Sequence, residues 1–209
     1  MFFLVTLYMQ NVLGYSQIQA GSAYVPVTFG VAIASGIASQ LFHRIGTRPI
    51  IVAGALLGAG GIYWLSRMPI HGSYLSDLLP GLMIMSFGLG FVFVGVNTAA
   101  NAGVPADKAG LAAALVNTST WIGGALGLAV FSVVATTRSH DLLSHGLDAA
   151  ASLTGGFQRA LTACSIVIAA AGLIALRATN TRGESPEASS RADPGRGDSA
   201  PTTPNARAA

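Results

Sequence analysis

The stretch His43-Arg44-Ile45-Gly46-Thr47-Arg48-Pro49 is a short basic turn between two runs free of Asp, Glu, Lys and Arg: no side chain before Arg44 is one of these, and the next after Arg48 is Arg67. An arginine at the centre of a bilayer helix costs roughly 2.5–3.5 kcal/mol on insertion scales. The flanking runs therefore read as membrane-crossing, and the turn as lying at a membrane surface. Short loops rich in Lys and Arg stay on the cytoplasmic side, so Arg44 and Arg48 are expected to face inward.

Composition agrees. The chain is 52% hydrophobic and 9% charged, against about 25% charged residues in an ordinary soluble domain. Nearly half of its charges fall between Arg177 and Ala209, which leaves the part before them poorer still. The fold class expected is all-α, a polytopic transmembrane helix bundle. A net charge of +3 does not point to nucleic acid, because no basic cluster with interleaved aromatics is present. Cys164 is the only cysteine and lies in an apolar run, so neither a disulfide framework nor a thiolate metal site is expected.

Outward from the basic turn, the spans are expected at about 18–42, 50–66, 77–98, 109–137 and 157–176. They follow a partial helix at 1–13, too short to cross a core that needs about 20 residues. That partial helix reads as the second half of a span, and it lacks the basic leader and cleavage site of a signal peptide. Residues 1–177 then form one helical lobe. Pro26 falls inside the first full span, where a missing N–H kinks a helix. Gly54-x-x-x-Gly58 is the small-residue spacing that lets helix backbones approach. Inner loops hold Arg44, Arg48, Lys108, Arg177 and Arg182, and outer loops hold Arg67, Arg138 and Arg159. Residues 178–209, rich in Ser, Pro, Gly and alternating charge, cannot bury enough apolar surface to fold, and are expected to form a disordered cytoplasmic tail.

Leu7-Tyr8-Met9-Gln10-Asn11-Val12-Leu13-Gly14-Tyr15-Ser16, followed by Ala20-Gly21 and Pro26, resembles the start of the C-terminal half in the fourteen-helix multidrug (drug:proton antiporter) branch of the major facilitator superfamily. Ser39-x-x-x-His43-Arg44-x-Gly46-Thr47-Arg48 is similar to the superfamily's inner-loop motif. Arg44, Gly46 and Arg48 match it; Ser39, His43 and Thr47 depart, and the acidic residue of that motif is absent. The run Gly110 to Gly127, with Asn117, Trp121, Gly123, Gly124 and Gly127, resembles the second-half counterpart of the glycine-rich antiporter helix, without its Gly-Pro pair. The resemblance implies one six-helix lobe of a two-lobe rocker-switch carrier, with the first helix truncated and the N-terminal lobe missing from this chain. It also implies helix packing at Gly123, Gly124 and Gly127.

Carrier sites lie near the bilayer midplane. Counting inward from Ala109 at about 1.5 Å per residue puts Asn117, Thr120 and Trp121 at the middle of their helix, with Asn117 and Trp121 on one face. Asn117 is expected to hydrogen-bond a small lipophilic substrate and Trp121 to stack on it, with Thr120 and Gln10 as further contacts. The bland alternative has Asn117 bonding between helices and Trp121 packing on lipid. Asn97 and Asn101 are expected to satisfy helix-end backbone groups. Proton coupling needs an ionisable group within the membrane; no helix centre here carries one, so the carboxylate would have to come from the other lobe. His140, Asp141 and His145 offer no fourth ligand, and no metal or other cofactor is expected. No phosphate loop, nucleophile turn or zinc helix motif occurs, so an enzyme is not expected.

The function expected is therefore the C-terminal lobe of a plasma-membrane transporter, an efflux carrier for amphipathic molecules working by alternating access. Its partners would be the lipid bilayer and either the missing lobe or a second copy. A half-size carrier acting as a homodimer, or a non-transporting membrane interaction protein, are the alternatives.

Overall fold

In the computed structural model, residues 1–69, 73–102 and 104–177 are described. The expected tail, 178–209, lies outside them, as do His71 and the side chain of His43. Among the described residues seven α-helices follow in order: α1 (Phe2–Asn11), α2 (Gln17–Ser22), α3 (Val25–Ile45), α4 (Thr47–Leu65), α5 (Leu79–Asn101), α6 (Ala109–Ser144) and α7 (Ala149–Ala175). The described residues contain no strand. Five segments of the described residues are long and apolar enough to cross a membrane: Gln17–Phe42, Thr47–Leu65, Tyr74–Asn101, Ala109–Ser144 and Ala149–Ala175. The all-α polytopic bundle expected from the sequence is what forms.

The first full span is two helices in tandem. Ser16 opens α2 with a capping box: its hydroxyl accepts from the Gln19 N–H, and its own N–H donates to Gln19 Oε1. The helix is interrupted at Ala23 and Tyr24, and Pro26 stands in the first turn of α3, where the lost N–H has no intrahelical partner to leave unpaired. At the interruption the Ala23 carbonyl accepts from the Tyr74 hydroxyl at 2.7 Å, which ties it to the start of the α5 segment.

The basic turn is a one-residue hinge. Gly46 ends α3, donating its N–H to the Phe42 carbonyl at 2.9 Å, and begins α4. Its φ of 86° is a conformation that a Cβ resists, and the residue itself is buried. Arg44 is exposed at this end of the bundle and Arg48 is half-buried.

Packing between α4 and α5 rests on glycine. A Cβ on Gly88 would lie 2.3 Å from the Gly58 nitrogen and 2.6 Å from the Gly54 carbonyl oxygen. One on Gly61 would lie 2.4 Å from the Met85 nitrogen. The backbones are thus in contact, as the Gly54-x-x-x-Gly58 spacing predicts, and van der Waals packing of this kind drives helix association in lipid. The same device repeats between α5 and α3, where Gly90 meets Ala34 and Val31, and between α7 and α4, where Gly172 meets Ala55. At the end of the bundle away from Arg44, Leu4, Val5, Tyr8 and Met9 of α1 are buried in a cluster with Leu65, Leu82 and Leu161, and the Tyr8 hydroxyl donates to the Pro69 carbonyl at 2.5 Å.

One connection is shorter than its composition predicts. The stretch 138–156 reads as a loop because it gathers Arg138, His140, Asp141, His145 and Asp148. The structure instead carries α6 on to Ser144, stops it at Gly146 (φ 83°), and starts α7 at Ala149. No Pro or Gly interrupts 128–145. Arg138 and Asp141, three apart, form an ion pair along the helix, the spacing at which side chains on a helix meet.

Candidate functional site

The candidate site lies on α6, where the helix's run to Ser144 puts Asn117, Thr120 and Trp121 a quarter to a third of the way along rather than at the middle expected from a span ending near 137. Unlike the other spans, α6 is hardly covered: 6% of its most apolar window is buried within the bundle, against 44% for α4. Its buried residues are Ala135 and Ser139, near the end that meets α7, where a Cβ on Gly156 would fall 2.1 Å from Ser139 Oγ. Below that contact the helix stands clear. Asn117, Thr120 and Trp121 are all exposed, Trp121 at 74%.

The direction they face follows from helix geometry. Ala135 is eighteen residues beyond Asn117, and Ser139 eighteen beyond Trp121. At about 3.6 residues per turn, eighteen residues are five turns. Asn117 and Trp121 therefore lie on the face of α6 by which it packs on α7 further along, and at their own level that face is exposed. Gly124 falls on this face too. Thr120 donates its hydroxyl to the Val116 carbonyl at 2.8 Å, a local bond that leaves its oxygen lone pairs available. Asn117 makes no hydrogen bond through its side chain among the described residues.

Gln10 is elsewhere. It sits half-buried near the end of α1, which packs on α7 and α2. The glycines expected to pack helices do not do so within this lobe: nothing comes within 4 Å of a Cβ placed on Gly123 or Gly124, and Gly127 meets only Phe131 of its own helix. Asn97 and Asn101 donate to the carbonyls of Phe93 and Asn97, one turn back, at 2.7 and 2.8 Å. Asp77, at the start of the α5 segment, accepts from the Ser73 N–H at 2.7 Å and from the Ser76 hydroxyl at 3.0 Å. It is occupied as a helix cap rather than placed at a membrane centre.

Tight glycine-mediated crossings, apolar spans and a polar patch in the first third of an uncovered helix mark a multi-pass membrane helix bundle. The comparisons make the class specific. A family model, the Major Facilitator Superfamily, matches residues 1–128, and the chain belongs to that superfamily. It is 35% identical over 159 residues to the puromycin resistance protein of Streptomyces alboniger, covering 74% of this chain and 32% of that protein. It is 36% identical over 152 residues to the cephamycin export protein of Amycolatopsis lactamdurans, covering 70% and 31%. A multidrug resistance protein of Mycobacterium tuberculosis strain H37Rv is 34% identical over 146 residues, covering 69% and 27%. The chain spans about a third of the length of the first two relatives and somewhat less of the third. All three relatives carry names of drug resistance or export.

Proposed function

We propose that the chain supplies the C-terminal lobe of an efflux carrier for amphipathic or drug-like molecules, operating by alternating access against a second lobe. The observation that carries the reading is the uncovered face of α6. An amide and neighbouring hydroxyls within the membrane are costly to leave in hydrocarbon, yet the lobe gives Asn117 no side-chain partner among its described residues. The face is accounted for if Asn117 and Trp121 border a substrate path shared with a second lobe or a second copy, Asn117 offering hydrogen bonds and Trp121 a flat apolar wall. Gly123, Gly124 and Gly127 then serve close contact across that boundary, with Gln10 a further contact from α1.

The basic turn orients the lobe, placing Arg44 and Arg48 on the cytoplasmic side of the plasma membrane. Since Asp77 caps a helix, proton coupling in this scheme requires a carboxylate from the second lobe.

Dye efflux tests the proposal. Cells expressing the chain together with the first-half lobe of a related exporter should accumulate less ethidium than cells with either alone. Asn117→Ala with Trp121→Ala should return accumulation to the control level. Efflux undiminished by the double substitution would refute the site, and efflux by the chain alone would assign the second lobe to a second copy.

A further inference from the structure

The outer ends of α4, α6 and α7, at the face of the bundle opposite Arg44 and Arg48, border an open cavity of about 800 Å³. Three arginines line it, one from each helix or its immediate end: Arg67, Arg138 and Arg159. Loops that merely face water have no need to converge their cations, and like charges gathered around one space repel. Arg138 is paired with Asp141. Arg67 donates to the Tyr63 hydroxyl at 2.5 Å, with its guanidinium 4.9 Å from the centre of that ring, so its charge is positioned without being neutralised. Arg159 has no ion-pair partner among the described residues. Asp77 shares a smaller adjoining pocket with Arg67, but its carboxylate is bonded to Ser73 and Ser76. The cavity is left with a net positive charge.

We infer that this cavity binds a phosphodiester anion, the headgroup of an anionic phospholipid. Guanidinium groups match the oxygens of a phosphate with paired donors, and the volume falls within the roughly 300–1,000 Å³ of ordinary ligand sites. The level in the membrane is right. Tyr63 and Trp64, at the end of α4, are half-exposed, as are the amphipathic aromatics that mark the headgroup region. Leu142 and Leu147 give the same cavity an apolar side, which suits the glycerol and upper acyl carbons and serves no purpose for a free inorganic anion. Gln158, also in the lining, holds the Met68 carbonyl at 2.7 Å and so fixes α7 against the end of α4 that carries Arg67.

Native mass spectrometry of the intact chain, released from detergent after incubation with phosphatidylglycerol or phosphatidylcholine, tests the inference. A hydrogen bond to a charged group strengthens binding roughly tenfold or more, so Arg67→Gln with Arg159→Gln should weaken phosphatidylglycerol binding at least about tenfold and weaken phosphatidylcholine, whose choline cation offsets its phosphate, by less. Arg67→Lys with Arg159→Lys should retain most of the preference, and circular dichroism should show all variants equally helical. Equal occupancy by the two lipids, or an undiminished preference in the Gln variant, would overturn the inference. Displacement of phosphatidylglycerol by glycerol 3-phosphate at equal concentration would also overturn it, assigning the cavity to a soluble phosphate.

Discussion

Gly88 carries the crossing of α4 and α5, and Gly88→Ala measures what that crossing contributes. The added methyl would lie 2.3 Å from the Gly58 nitrogen and 2.6 Å from both the Gly58 Cα and the Gly54 carbonyl oxygen. Favourable contact between heavy atoms lies at about 3.5–4.0 Å. Backbone atoms cannot rotate aside as a side chain does, so the helices must part by on the order of 1 Å. A gap of that size forfeits roughly a quarter to a half of each contact's 0.1–0.2 kcal/mol. Over several tens of atom pairs the loss is about 2 kcal/mol, within the roughly 1–3 kcal/mol measured for overpacking. In a chain of this length that lowers the melting temperature by roughly 4–8 °C. Gly60→Ala is the matched control on α4, because nothing lies within 4 Å of its Cβ, and alanine's helix preference makes it neutral or stabilising by up to about 1 kcal/mol. Cys164, buried and the only cysteine, reports unfolding through a thiol-reactive fluorogenic dye. Equal melting of the two variants would refute the glycine account of lobe cohesion.

Two further outcomes follow from the basic turn. Gly46→Ala forces a Cβ into a backbone conformation (φ 86°, ψ 176°) essentially confined to glycine, costing roughly 1–3 kcal/mol, while Gly36→Ala, in open space on α3, should melt no lower than the parent in the same dye assay; equal behaviour would show that the hinge tolerates a side chain. With Cys164→Ala as background, a cysteine at position 48 should be closed to a membrane-impermeant maleimide in intact cells and one at position 144 open to it, the reverse pattern overturning the orientation.

Much of the fold was legible because charge and apolarity alone decide where a bilayer span ends. The run before Arg44 and the run from Pro49 to Ser66 admit no other reading, and Gly54-x-x-x-Gly58 announced a backbone contact that the structure places against Gly88. Where polarity is ambiguous the sequence misleads: charges at Arg138 and Asp141 look like a loop, yet an ion pair and the absence of a breaker keep them helical to Ser144. The first span reads as one helix around Pro26, whereas the structure divides it just before the proline. The candidate site is legible as a helix position and no more. Spacing puts Asn117 and Trp121 on one face, but which way that face looks depends on where α6 touches α7, and that needs Ala135 and Ser139. The three cavity arginines are scattered over residues 67 to 159, and only the packing of α4, α6 and α7 brings them together.

The central claim is that the Asn117 face of α6 borders a path for water and substrate rather than lipid. Asn117→Cys in a Cys164→Ala background, in membranes containing the chain with a first-half lobe, tests it through reaction with a water-soluble maleimide, Val130→Cys at an exposed apolar position serving as the lipid-facing reference. The account predicts that position 117 reacts at least tenfold faster than position 130 and is slowed by a transported dye. Equal, slow reaction at both positions, indifferent to dye, would contradict it.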